Sequence, residues 1–245
     1  MSIRLLTIMF LFFTSWTFTA VSMAVEIDLT PVEKAWLKEN PVVRVHNEQS
    51  WPPFNFVENG KPNGFSIDYM NLLASKTGLK IDYVTGPTWN EFLGMMKSGD
   101  LDIMLNIVRT PERMKYLLYT TPYIFKTNTI LSHRETDYSN LEELFGKTVA
   151  VPRGFFQKEV LERDFPQIKL YLVNDTLKSM EAVKSGKADA AVGDVAVFDY
   201  FLERRLMGEL VISGELNFGN PANEKLWIAK VQLTGNDQIP HQPTP

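Results

Sequence analysis

The sequence predicts an α/β protein built as two similar lobes, each a parallel-type sheet with helices on both faces. Three observations carry this reading. Short apolar runs alternate with helical patterns along the chain, which is the mark of β–α–β units. The stretch "MMKSGDLDIML" at 95–105 returns, 87 residues on, as "AVKSGKADAAV" at 182–192, so a helix, a Lys-Ser-Gly turn, an aspartate and an apolar run recur in that order. Finally, the 245 residues less a 24-residue leader leave 221, enough for two lobes of about 100 residues each.

The elements follow in order. Residues 1–24 read as a secretory signal peptide: Arg4, then an apolar stretch from Leu5 to Val21, then Ser22 and Ala24 as small residues before a cut after Ala24. An uncleaved anchor is the alternative, and the apolar stretch of 17 residues is short for a span. Residues 25–40 are a lead-in. Pro41 opens a strand over 41–47, and 65–78 is a helix with Ile67, Met70, Leu73 and Ala74 on one side and Gly78 as its cap. A strand (79–84), a helix (88–99), a strand (101–108) and a helix (110–119) complete the first series. The second series has strands at 147–152, 169–173 and 188–193. Its helices lie near 156–164, 176–185 and 195–205. Lobe one is expected at 41–126 and 220–230, lobe two at 127–219. The crossings fall near Tyr123–Thr129 and Leu216–Asn223.

Composition narrows the function. The net charge of −4 becomes −5 once Arg4 leaves, which gives no basic surface for nucleic acid. The chain has no cysteine, so thiolate catalysis, Cys-bound zinc and Fe–S clusters are out. His46, His133 and His241 have no partner at metal-ligand spacing. No phosphate loop and no Gly-x-Ser-x-Gly elbow occurs. No cofactor is expected.

In an open parallel sheet, ligands bind beyond the carboxyl ends of the strands. Four places there are singled out. In "VRTPERMKYLLYTTPYI" (108–124), Thr110 is an N-cap, Pro111 is N1 and Arg113 is N3. Arginine is unusual there, because the helix dipole favours acids. It either turns toward a cleft as an anion fork or is solvated or paired with Glu112. In "SWPPFNF" (50–56), two prolines stiffen a loop that presents Trp51 and Phe54, as ligand walls or as core. In "PRGFFQKE" (152–159), Gly154 permits a turn ahead of a helix. Phe155 and Phe156 follow as contacts or packing. In "VGDVAVFDY" (192–200), Asp194 is either a plain N-cap or a carboxylate that meets a ligand amine.

Together "WPPF", "GFSID" (64–68), "RTPER…YTTPY" and "GKADAAVGD" resemble the family 3 extracellular solute-binding proteins over about Leu29–Ala229. The resemblance implies a type II, Venus-flytrap fold and a periplasmic monomer that takes a small anionic or zwitterionic solute. It implies that Arg113 grips a carboxylate and Trp51 stacks over the solute. Asp194 would take an amine, and the 154–157 loop would add lobe-two contacts. Arg109 is then a rim charge. Two departures stand out: "NIVR" (106–109) leaves Asn106 as the polar side chain before Thr-Pro, and Phe155-Phe156 replaces hydroxyl residues. The start "LTPVEKAWLKENP" (29–41) looks like the modules fused to membrane sensor kinases. The expected partner is thus a membrane transporter or, alternatively, a sensor; dehydration chemistry, known in a few relatives of the fold, is a third reading. The tail, 231–245, is polar and Pro-rich and reads as an irregular, disordered or frameshifted end that would leave lobe-one apolar surface bare.

Overall fold

The computed structural model describes residues 27–205, 207–218 and 225–231. The leader, most of the return crossing (219–224) and the tail beyond Val231 lie outside them. Helix α1 (Pro31–Glu39) is closed by a capping box in which the Thr30 hydroxyl accepts the Glu33 N–H and Glu33 reaches back. Strand β1 (Val42–Asn47) follows. A small antiparallel sheet, not foreseen, comes next: β2 (Ser50–Trp51), β3 (Asn55–Glu58) and β4 (Lys61–Asn63). Helix α2 (Phe65–Thr77) ends on Gly78 in the left-handed region. Strand β5 (Lys80–Thr85), helix α3 (Trp89–Ser98) and strand β6 (Ile103–Ile107) complete a β–α–β–α–β run.

The segment after β6 departs from expectation. Residues 110–119 form no α-helix, only a single 3-10 turn at Arg113–Lys115 followed by strand β7 (Leu117–Tyr119). The cap itself is present, since the Thr110 hydroxyl accepts the Arg113 N–H at 3.4 Å. Tertiary pairing stops the helix there. Leu117, Leu118 and Tyr119 add antiparallel to a strand more than 100 residues away in sequence, and ladder bonds plus burial of Leu117 outweigh a weak local propensity.

Strand β8 (Ile124–Phe125) is the last of the first sheet before the crossing, and β9 (Asn128–His133) already belongs to the second. There β10 (Thr148–Pro152), α4 (Phe156–Asp164), β11 (Lys169–Val173), α5 (Thr176–Lys184), β12 (Ala190–Asp194), α6 (Val195–Arg205) and β13 (Leu210–Leu216) follow, before β14 (Lys225–Val231) returns to the first sheet. The first sheet runs β5-β1-β6-β14-β7 with β8 also on β14; the second runs β11-β10-β12-β9-β13. Both are parallel where β–α–β units build them and antiparallel at β14 and at β9 and β13. Each sheet is therefore mixed rather than purely parallel, because strands that carry the chain between sheets enter against the grain.

Both sheets are covered on two faces. Ile67 and Met70 of α2 pack on Val43, Val45 and Leu105. Phe92 and Met96 of α3 pack on Met104 and Ile107 from the other side. In the second sheet, Met180 and Val183 of α5 and Phe198 of α6 meet Leu131 and Ala191, while Leu161 of α4 meets Val149 and Val192.

The internal repeat has one structural meaning in both sheets. Gly99 (φ 79°) and Gly186 (φ 71°) take the left-handed conformation that ends each helix. The aspartate after each turn then ties the incoming strand to its neighbour. Asp102 donates its N–H to the Arg44 carbonyl (3.0 Å) and its carboxylate accepts the Arg44 N–H (2.7 Å). Asp189 does the same with Thr148, at 2.8 Å each way.

Candidate functional site

The carboxyl ends of the parallel strands of both sheets face one another, and a narrow cavity of about 30 Å³ lies between them. That is room for one or two water molecules. Any larger solute requires the two sides to part.

From the first sheet, a β-bulge aims Asn106 into the cavity. Leu105 and Asn106 together oppose the single residue Ile228, and Asn106 takes φ 58°, a left-handed conformation that asparagine tolerates. Its Oδ1 accepts from the Ser66 hydroxyl (2.6 Å) and the Tyr123 hydroxyl (2.7 Å), which fixes the amide so that Nδ2 is left buried without a partner. Burial pushes the Tyr123 hydroxyl up to about 12, so it stays a donor.

Arg113 is 2% exposed and lines the same cavity. It is neither solvated nor paired with Glu112, which bonds Lys115 instead. Its Nη1 donates to the Val108 carbonyl (3.0 Å), and its Nη2 donates to the Gly154 carbonyl (2.7 Å) and to Glu159 Oε1 (3.0 Å). Gly154 and Glu159 come from the opposite side, so the guanidinium spans the cleft. Nε, buried, has no partner. Trp89, at the start of α3, donates its Nε1 to the same Gly154 carbonyl at 3.0 Å and lies edge-on to Phe155. Arg109 is exposed and points its Nε at the Met114 sulfur (2.8 Å), away from the cavity.

From the second sheet, Asp194 ends β12, 3% exposed. The N-cap reading holds for one of its oxygens. Oδ1 caps α6 by accepting the N–H groups of Ala196 (2.9 Å) and Val197 (3.4 Å); Oδ2 is buried without a hydrogen bond. Burial raises its pKa, against the lowering pull of the Lys126 charge and the two cap bonds. Gln157 leaves Oε1 unpartnered, while its amide nitrogen donates to Asn128 Oδ1 (3.3 Å).

Of the predicted residues, Trp51, Asn106, Arg113, Phe155, Phe156 and Asp194 line the cavity together. Phe54 and Gly154 do not. Phe54 lies behind Trp51, ring centroids 5.0 Å apart, and Gly154 sits on the rim of an outer groove with Lys97, Arg153 and Lys158. Sequence reasoning missed Trp89, Lys126 and Thr176 and gave Gln157 only a loop role. Trp89 and Thr176 each open a helix just past a strand, the rule that found the others. Glu48 also lines the cavity, with Oε1 3.8 Å from Nε2 of the fully buried His46.

Two α/β sheets linked by crossing strands, with buried polar side chains turned into a cavity between them, define a two-lobed, Venus-flytrap solute-binding fold. The chain belongs to the bacterial extracellular solute-binding proteins, family 3, whose profile matches residues 43–188. It is 27% identical over 187 residues to the virulence sensor protein BvgS of Bordetella pertussis, covering 76% of this chain but 15% of that protein, so it spans a small fraction of that relative's length. It is 30% identical over 148 residues to the probable amino-acid-binding protein YxeM of Bacillus subtilis, covering 60% and 54% of the two chains. Among solved structures, an ancestral arginine-binding protein bound to arginine superposes with a TM-score of 0.72 at 28% identity, over 81% of this chain and 87% of that one. The family is one of solute-binding domains extracellular to the bacterial membrane, not of enzymes. Among the described residues no helix is long and apolar enough to cross a membrane.

Proposed function

We propose that this chain captures a small anionic or zwitterionic solute between two lobes, 41–126 with 220–230 and 127–219, after export and removal of residues 1–24. The observation that carries the reading is the set of four buried polar atoms without partners around one cavity: Arg113 Nε and Asn106 Nδ2 on one side, Gln157 Oε1 and Asp194 Oδ2 on the other. Unpaired buried groups are costly, and a solute with an anionic end satisfies the two donors. Trp51, Phe155 and Phe156 wall its body. Opening admits the solute, and closure excludes water and strengthens each charged contact.

The solute is passed to a membrane transporter, as the likeness to a probable amino-acid ABC transporter-binding protein of Haemophilus influenzae supports. A second reading, a sensing module acting with a membrane signalling partner, is favoured by the longer match to a sensor protein, 76% of this chain against 60% for YxeM. Purification from the exported fraction, with native mass spectrometry and N-terminal sequencing, tests the proposal. An unaltered small acid bound to a chain that begins at Val25 is expected. A chemically converted solute would point to catalysis instead, and an intact leader would overturn the export step.

A further inference from the structure

We infer that Tyr123 and Ser66 are positioning residues of the cleft: their hydroxyls lock the Asn106 amide with its nitrogen toward the cavity, so that Asn106, like Arg113, meets the solute as a donor and selects its carboxylate. This rests on the solute-binding reading above and deepens it.

An asparagine can offer a solute either end of its amide, an acceptor or a donor. Three contacts decide for Asn106. The Ser66 hydroxyl lies 2.6 Å and the Tyr123 hydroxyl 2.7 Å from Oδ1, distances of O–H···O rather than N–H···O bonds. The Tyr123 oxygen in turn accepts the Asn106 backbone N–H at 3.3 Å, which leaves its one hydrogen for Oδ1. Turned the other way, the amide nitrogen would meet both hydroxyl oxygens. Tyr123 could then swing its hydrogen to Ser66 Oγ, 3.1 Å off, but the Ser66 hydrogen would find no acceptor among these atoms. A buried donor left in that state costs more than a hydrogen bond gains. The unpartnered Nδ2 is the outcome of this lock. A solute ammonium brought to Asn106 would face another N–H donor, whereas a carboxylate oxygen is matched.

The lock is held by its surroundings. Ser66 is the second residue of α2, fully buried, with its N–H on the Phe54 carbonyl (2.8 Å). Tyr123 stacks on Tyr69 of the same helix, ring centroids 5.1 Å apart and planes 12° apart. Its backbone N–H donates to the Leu226 carbonyl (3.0 Å), and the next residue, Ile124, pairs with Leu226 where β8 meets β14. The hydroxyl that orients Asn106 is thus carried by the strand pair at which the chain leaves the first sheet and re-enters it.

The probe is chosen first. The common amino acids, acetate, succinate and benzoate are screened by thermal shift on the mature protein, and the compound that stabilises it most goes into calorimetry. Tyr123→Phe keeps the ring stack and Ser66→Ala keeps the helix, so the double variant removes the two hydroxyls alone. It should bind the probe about tenfold more weakly, the worth of a hydrogen bond to a charged group. Asn106→Gly, which suits the left-handed φ of 58°, deletes the amide. In that background the two hydroxyl changes should alter affinity by less than about twofold. A loss of the full size in both backgrounds, or in neither, overturns the inference, because a merely structural role of the hydroxyls would not depend on the amide. Heteronuclear NMR of the unaltered protein reads the same lock whether or not the variants fold: the Asn106 side-chain NH2 pair should shift when the probe is added, and a pair that stays put also overturns it. Either result leaves the solute-binding reading standing. If nothing in the panel stabilises the protein, that reading fails and takes this inference with it.

Discussion

Arg113 on one side of the cleft and Glu159 on the other meet at 3.0 Å, and the same guanidinium also reaches the Gly154 carbonyl at 2.7 Å. The residue proposed to grip a solute is thus held by the opposite side of the cleft. On that proposal Glu159 competes with the solute for it. Glu159→Gln should therefore tighten solute binding, by roughly two- to fivefold, the worth of a part-exposed pair. Arg113→Ala should weaken it by roughly 30-fold or more, since losing one partner of a buried charged contact costs about 2–5 kcal/mol. Calorimetry with the co-purifying solute decides this; an Arg113→Ala protein that binds like the parent would remove the clamp from the mechanism.

Trp89 is the second tie across the cleft. Trp89→Phe keeps an aromatic side chain but deletes the Nε1–H bond to Gly154 and trims the buried indole. The closed form should lose about 1 kcal/mol, roughly a fivefold shift toward open. Small-angle scattering should report a larger radius of gyration for the variant without solute and equal radii once solute is saturating. Equal radii in both states would show that this bond does not govern closure.

Gly64 shapes the aromatic wall from below. It holds φ 112°, and a Cβ there would lie 2.5 Å from the Phe54 carbonyl oxygen and 2.8 Å from that of Pro53. Both neighbours are backbone and cannot turn aside. Gly64→Ala should destabilise the fold by about 2 kcal/mol or more and displace the Trp51 loop. Denaturant titration measures the first effect, and solute affinity among the surviving folded molecules the second.

The Asp102–Arg44 tie gives a pH dependence with a definite sign. Burial raises the Asp102 carboxyl, but the Arg44 side chain and backbone N–H bonds and the Arg44 charge outweigh it, and the pKa is lowered. A lowered folded value means stability that is present above the ordinary carboxylate value, about 3.9, and is lost as pH falls through the lower folded one. The pair is more than a third exposed, so the effect is about 1 kcal/mol or less. The gap in melting temperature between parent and Asp102→Asn should be widest near neutral pH and shrink as pH falls below the ordinary carboxylate value. A gap that widens in acid would contradict the tie.

Helix α2, helix α3 and the strands beside them were legible because their apolar spacing and glycine stops are local signals. Asp102 and Asp189 were legible as a repeat because the same turn needs the same residues in both sheets. Six residues of the cavity wall were legible too, since residues just past a parallel strand must gather at one edge. Three things were not. Residues 117–119 carry a helical pattern and form a strand, because a partner from the far end of the chain offers more than the local turn. Phe54 looks like a wall and lies behind one, because sequence does not say which of two neighbouring aromatics faces inward. Lys126 gave no signal, because nothing nearby in the chain marks a lysine in a crossing segment as buried.

What the sequence determined by itself was the class of fold, the two-lobe repeat and some of the residues that meet at the strand ends, all consequences of short-range pattern and of a sheet's fixed geometry. Only the tertiary structure decided which charges pair across the gap, Arg113 with Glu159. That pairing joins residues brought together by the crossing of the chain between the sheets. Coulombic energy depends on distance and burial, and neither is written in the order of residues.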